Sequence, residues 1–472
     1  TTADPYTLKP ARPISARLYS PLGQISGTIT LHSEGHPPPA GEGRGEGEIY
    51  APKTPSASPT FRLNLPSSQS SLALAWLRDL SDGYVAFDPS DPLRKLPGPV
   101  SIRQAGGTSA LPSAPDDESA ARDKPWFIGS SAWAVAAPTP LPEFQWEPVP
   151  NAPLRRTTLF ETHKALGGRM VPFGGWEMPV QYTGVLEEHL ATRQAAGLFD
   201  VSHMGVWDVT GPTAAAFLDA LVTNEVSSLN PGESMYAQLL APAASVIDDC
   251  YAYCLAPDHY LFVVNASNDD KDWAWANAVH RGEVLVDLDR PWACAPGRAG
   301  ARLRDLRAAS SGADQRVDIA VQGPKSRDIL LALGADADTA RRIKALKRTE
   351  LCQAVIAGFD LIVARTGYTG EQMGFELFVH PDRAVEFWNA LLKVGGPLGL
   401  KPAGLAARDS LRTEAGLPLY GEEMAGALEL GVGDAGFESY VKTHKPWFIG
   451  RAAFIQQERQ RKAEVVRFRF TA

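Results

Sequence analysis

Cysteine is scarce in this sequence: there are four in 472 residues, at positions 250, 254, 294 and 352. So few exclude a disulfide framework and fit a reduced, cytoplasmic compartment. Cys250 and Cys254, four apart on what reads as a strand, are core or half-exposed thiols, because no second ligand pair stands out to complete a zinc site. No run of about 18 apolar residues occurs, which removes a membrane-spanning helix. Basic residues do not dominate either: 46 Lys and Arg face 54 Asp and Glu, for a net charge of −8. That is the wrong balance for a protein that coats nucleic acid. Gly41, Gly43, Gly45 and Gly47 have no strand before them and no helix after them, so they do not make a dinucleotide loop. The chain opens at Thr1 without a basic-then-apolar leader. What is present is ordinary globular sequence, 44% hydrophobic, with length enough at roughly 150 residues each for about three domains.

Texture changes along the chain. Residues 1–150 are dense in Pro, Ser and Gly and read as a small module of unknown function. Short strands over 16–32 and 83–87 and a short helix over 71–80 flank a segment at 34–59, which contains HPPPAGEGRGEGE and PKTPSASP. That composition cannot bury enough apolar surface to order itself, so this insert is expected to be disordered. The hexapeptide KPWFIG occurs twice, at 124–129 and 445–450, each time closing one segment before another begins, and reads as a repeated junction. From Leu154 onward the pattern is α+β. A helix is expected over 183–196, capped by Thr183 and ended by Gly197, and another is opened by Pro212 with Phe217, Leu218 and Leu221 on one face. Residues 235–240, 246–253 and 260–264 read as an antiparallel run, and 354–364 as a hairpin turning at Gly358-Phe359-Asp360. A helix over 404–415 ends at Gly416. The alternating stretch 465–472 reads as the start of a further strand.

Five clusters carry chemistry. Gly174-Gly175-Trp176-Glu177-Met178-Pro179 joins a flexible backbone to a flat apolar wall. Phe199-Asp200-Val201-Ser202-His203-Met204 holds a histidine that is more often structural than catalytic in such a setting. Asp248 and Asp249, adjacent on a strand, are expected to point to opposite faces, one toward a pocket and the other toward solvent or a backbone partner; the alternative is a solvated turn. Arg365-Thr366-Gly367-Tyr368-Thr369-Gly370-Glu371, followed by Gly374-Phe375-Glu376, offers a stacking ring and an inward carboxylate for a flat heterocycle, or else an ordinary turn and a solvated acid. Arg408 and Arg412 lie four apart on one helix face, either at a pocket or in surface ion pairs.

In order and spacing these stretches resemble the T-protein (aminomethyltransferase) family of the glycine cleavage system. The resemblance runs through FGGWEMPVQY, FDVSHM, IDDCYAY, VVNASNDDKD, VQGPKS, RTGYTGE and AARDSLRTEAGLPLYG, and covers about two thirds of the chain. It implies a multi-domain α+β fold, with a folate-binding core of antiparallel sheets and packed helices over 151–458. Residues 459–472 would begin a C-terminal β-barrel that is otherwise missing. It further implies transfer of a one-carbon unit from the aminomethyl-dihydrolipoyl arm of H-protein to tetrahydrofolate as co-substrate. Ammonia would be released, and neither metal nor flavin would be needed. Carried over residue by residue, the resemblance makes Asp249 the key acid. Tyr236, Tyr253 and Tyr368 would line the folate slot with Met204 and Asn265 nearby, Glu376 would grip the pterin edge, and Arg408 would organise the pocket. Several positions depart from the pattern: Ala243-Ala244-Ser245 replaces a glycine pair, Ala406 stands for a glycine, one extra residue precedes Glu376, and the stretch from Leu430 to Tyr440 matches poorly. Neither nucleic acid nor membrane is implied as a partner. The alternatives are a non-catalytic folate-binding or scaffold protein, and the T-protein part of a fusion with serine hydroxymethyltransferase upstream.

Overall fold

The structure is a computed structural model that describes residues 14–19, 25–34, 60–64, 74, 77, 139–150 and 152–468. The chain divides into two units, 1–139 and 140–472. In the first, β1 (Ile14–Tyr19), β2 (Ile25–Glu34) and β3 (Thr60–Asn64) pair antiparallel in sequence order, and Leu74 and Leu77 are helical. The insert expected at 34–59 lies outside the described residues except for Glu34, which ends β2. The strand expected at 83–87 and the first copy of KPWFIG also lie outside them.

The second unit mixes helix and sheet. It begins with β4 (Arg155–Arg156), β5 (Arg169–Phe173) and β6 (Trp176–Gln181), which form a small sheet in the order β4-β6-β5. Next come β7 (Ala196–Asp200), β8 (Gly205–Thr210), β9 (Ser234–Leu240), β10 (Val246–Ala256) and β11 (His259–Val264). They are followed by β12 (Arg302–Asp305), β13 (Val317–Gln322), β14 (Leu351–Ile356), β15 (Phe359–Ala364), β16 (Gly374–Val379) and β17 (Leu400–Pro402). Two sheets result, in the orders β12-β8-β11-β10-β9 and β14-β15-β16-β13-β7-β17. All pairings within them are antiparallel except β17 with β7. β7 and β13 are buried at every position, as strands covered on both faces must be.

Each sheet packs helices on its outer face. Phe217, Leu218 and Leu221 of the helix Ala214–Leu221, with Trp275 and Val279 of Asp269–Arg281, fill one core. Phe387, Trp388 and Leu391 of Pro381–Gly395 fill the other. Between the sheets, Val206, Tyr253, Leu261 and Val263 of the first meet Ile362, Ala364 and Phe378 of the second. The 354–364 hairpin turns at Ala357-Gly358, both at positive φ (51° and 80°). That is one residue before the expected turn, and it suits a two-residue loop.

Two helix ends differ from expectation. Val185–Gln194 has Gly184, not Thr183, at its N-cap, and Gly197 is already inside β7. The capping is done from inside the helix. The fully buried Glu188 accepts N–H bonds on Oε1 from Tyr182 (2.6 Å), Thr183 (2.9 Å) and Gly184 (3.2 Å). Its Oε2 accepts the Gly404 N–H at 2.8 Å, at the start of the helix Leu405–Glu414. One carboxylate thus joins the N-termini of two helices, where negative charge is favoured. Gly404 must be glycine, because a side chain there would enter the Val180 backbone. After the helix Arg451–Gln460, residues 461–468 form no strand; Val465 donates to the Asp434 carbonyl at 2.7 Å.

Candidate functional site

β10 carries the acid pair, within the sheet β12-β8-β11-β10-β9. Val246 sits opposite Leu240 and Asp248 opposite Leu239, so Ile247 is an extra residue, a bulge that re-aims the side chains beyond it. The expected division of the two acids is only partly met. Asp248 is fully buried and takes a backbone partner, the Asn265 N–H at 3.1 Å. Yet both acids also converge on one side-chain amide. Asn265 Nδ2 donates to Asp248 Oδ1 at 2.9 Å and to Asp249 Oδ1 at 2.8 Å. Asn268 Nδ2 adds a bond to Asp248 at 2.8 Å. Asp249 alone of the pair keeps some accessible surface. Burial, and then the Asp248 charge, raise its carboxyl to about 7.

Aromatic rings stand around it. Burial and the neighbouring Asp249 charge push the phenols of Tyr236 and Tyr368 up. The Tyr368 hydroxyl donates to the Pro418 carbonyl. Its loop is held by Gln322 of β13, whose Nε2 donates to the Thr366 carbonyl at 3.1 Å and whose Oε1 accepts from Thr369 Oγ1 at 2.8 Å. Gly367, at φ +152°, lets the loop lie against that amide, where a Cβ would collide with it. This explains the glycine of RTGYTGE.

Across the gap, Glu376 on β16 accepts from Tyr253 at 2.9 Å and from Thr366. It therefore links the two sheets. Arg408, on Leu405–Glu414, donates to Met204 Sδ at 3.8 Å. Burial lowers its pKa against the pull of Glu376 and Asp318. Arg412, the expected companion on the same face, ion-pairs with Asp409 (2.7 Å) and Glu423 (2.5 Å). His203 is buried, and desolvation, then the Arg408 charge, lower it to about 3, so it is neutral. Asp200 binds His163 (2.8 Å), Thr157 (2.8 Å) and Ser202 (2.6 Å). Burial opposes its charge, but these partners hold it at about 2. The FDVSHM segment is thus a buried polar brace.

A cavity of about 440 Å³ opens beside this group. Of the residues expected from sequence, Tyr236 and Tyr368 line it. Asp249, Asn265, Glu376, Arg408 and Met204 are not among its lining residues, and Tyr253 is only 1% exposed. Its strand-mate Tyr251 faces the cavity instead, with Phe437, Tyr440, Arg348 and Arg365. Tyr251 and Arg365 stand inside the strings IDDCYAY and RTGYTGE but had no role assigned from sequence; Phe437, Tyr440 and Arg348 were missed, and so was Asp318. Only Asp318 left a signal, as an acid inside the otherwise apolar strand VDIAV.

The GCVT N-terminal domain family matches residues 159–445. The chain belongs to this family, the glycine cleavage T-proteins, and is an aminomethyltransferase. The aminomethyltransferase of Halothermothrix orenii is 40% identical over 312 residues, 65% of this chain and 77% of that protein. That of Symbiobacterium thermophilum is 42% identical over 316 residues, 66% and 76% of the two chains. The crystal structure of glycine cleavage system aminomethyltransferase T from Bartonella henselae superposes with a TM-score of 0.54 at 32% identity, covering 65% of this chain and 75% of that one. Among the described residues no helix is long and apolar enough to cross a membrane.

Proposed function

We propose that this aminomethyltransferase takes its one-carbon unit from the aminomethyl-dihydrolipoyl arm of H-protein and gives it to tetrahydrofolate, releasing ammonia, with Asp249 as the acid at the reacting atoms. The observation that carries this reading is the raised carboxyl of Asp249, which neighbours Tyr236 and Tyr368 and is held by an amide shared with a second acid. When the thioaminal carbon leaves its nitrogen, positive charge develops on the methylene group, and the attacking folate nitrogen must lose a proton. A fixed carboxylate with a pKa near the working pH meets both needs. Tyr236 and Tyr368 supply flat apolar walls for a ring system. Glu376, held by Tyr253 and Thr366, is the acceptor for the paired N–H edge of a pterin. Arg408 balances the buried acids from its helix, with Met204 packed on its guanidinium. Asn265 positions Asp249.

Asp249→Asn keeps the shape and removes the charge. With loaded H-protein, turnover should fall by roughly 10²-fold or more, while tetrahydrofolate binding changes far less. Near-full turnover in this variant would show that another group does the work.

A further inference from the structure

We propose that Arg348 and Arg365 form a carboxylate subsite at the rim of the cavity, which takes the glutamate tail of the folate. This rests on the reading that the cavity holds tetrahydrofolate. Both arginines line the cavity. Arg348 is exposed and, among the described residues, has no hydrogen-bond or ion-pair partner. Arg365 donates only to carbonyls, those of Leu346 (2.9 Å) and Gln372 (3.0 Å), and its buried Nε has no partner. Burial, then the charges of Arg327 and Arg348, lower its pKa, so three guanidiniums crowd one another here. The acids nearby already have cationic partners. Glu371 pairs with Arg193 at 2.6 Å, and Glu350, whose charge offsets part of the crowding at Arg365, lies 3.8 Å from the Lys347 ammonium. Arg327, Arg348, Arg365 and Lys347 thus face Glu350 alone, and the rim carries an excess of positive charge.

The backbone that carries Arg348 is fixed in place. Ser234 donates to the Thr349 carbonyl at 2.8 Å, Thr349 to the Arg365 carbonyl at 3.0 Å, and Leu351 to the Gly232 carbonyl at 2.8 Å. The segment beside Arg348 is thus stitched to both large sheets. Thr349 sits at φ +67°, a conformation that β-branched residues avoid unless their surroundings impose it. The same cavity is walled by the rings of Tyr236, Tyr251 and Tyr440. A flat apolar middle with a flexible dicarboxylate end, the p-aminobenzoyl-glutamate half of a folate, matches that pairing of aromatic wall and cationic rim.

The test is calorimetric titration of the full chain with tetrahydropteroate, which has no glutamate, with tetrahydrofolate and with its triglutamate. Wild type should bind them in rising order of affinity. Arg348→Gln should weaken the two glutamylated ligands about tenfold, the scale of one charge-assisted bond, and leave tetrahydropteroate within about twofold. Arg348→Glu should weaken the glutamylated pair further. Equal loss for all three ligands, or no loss, would overturn the subsite. So would a variant whose only change is a higher KM for H-protein, since the arginine would then read an acidic protein surface. If wild type bound none of the three, the folate reading itself would fail, not merely the subsite.

Discussion

Removing the charge of Asp248 should move the pH profile of the enzyme, and the geometry says by how much. The two carboxylates receive bonds of 2.9 and 2.8 Å from one nitrogen, so their nearest oxygens are no more than about 5–6 Å apart. At an effective dielectric constant near 20, two unit charges at that distance repel by about 3 kcal/mol. That equals roughly two pKa units. In wild type Asp249 titrates at about 7, so activity that needs its ionised form should fall as pH drops through that value. In Asp248→Asn the same limb should lie near pH 5. The variant also loses the acceptor for the Asn265 N–H, which costs about 1–3 kcal/mol of stability, so melting must be followed alongside. The assay is kcat/KM against pH from 5 to 9, read as methylenetetrahydrofolate formed from loaded H-protein. An acid limb that stays at 7 in a folded Asp248→Asn protein would refute the coupling. A limb that persists in Asp249→Asn would refute the assignment of Asp249.

Glu188→Ala should destabilise the fold by about 3 kcal/mol or more, since four N–H groups lose one buried acceptor; denaturant unfolding would show it, and a loss under about 1 kcal/mol would mean water replaces the carboxylate. Asp272 is fully buried, neither of its carboxylate oxygens has a hydrogen-bond partner, and burial, then the Asp248 charge, push its pKa well up. A raised acid is protonated in the native state while the unfolded chain ionises above about pH 3.9, so its contribution to stability is lost as pH rises from there. Asp272→Asn should therefore gain in melting temperature over wild type between pH 4 and pH 8, and a constant difference across that range would count against it.

Much of the site was legible because its residues lie in short strings. IDDCYAY and RTGYTGE each become one strand or loop, and Tyr236 and Tyr368, named through the resemblance, line the cavity. The bulge at Ile247 was not legible, because a pattern of period two assumes an unbroken ladder, and so the sharing of Asn265 by both acids was missed. Nor was the role of Glu188, which reads as a surface helix acid until Gly404, 216 residues later, is brought to it. Ala244 stands where the resemblance expects glycine, and it occupies φ +64°, a conformation that favours glycine. Arg348 lacked a sequence signal, and Arg365 had only its place at the head of RTGYTGE, since their convergence on a cavity is what distinguishes them from surface charge.

The amide of Asn265 has a chemical lifetime as well as a geometry. Asparagines age by attack of the following backbone nitrogen on the side-chain carbonyl, which requires the amide to swing out of its bonds. Here Nδ2 is held by two carboxylates and the Asn265 backbone N–H by one of them, so the side chain is not free to turn. Were hydrolysis to occur, a third carboxyl would stand between the first two; Asp248 would keep its bonds from the backbone N–H and Asn268, and Asp249 would lose its amide donor. As the protein aged, its activity would fall in proportion to the fraction of molecules that had lost the amide. Each molecule would keep its amide and work, or lose it and stop.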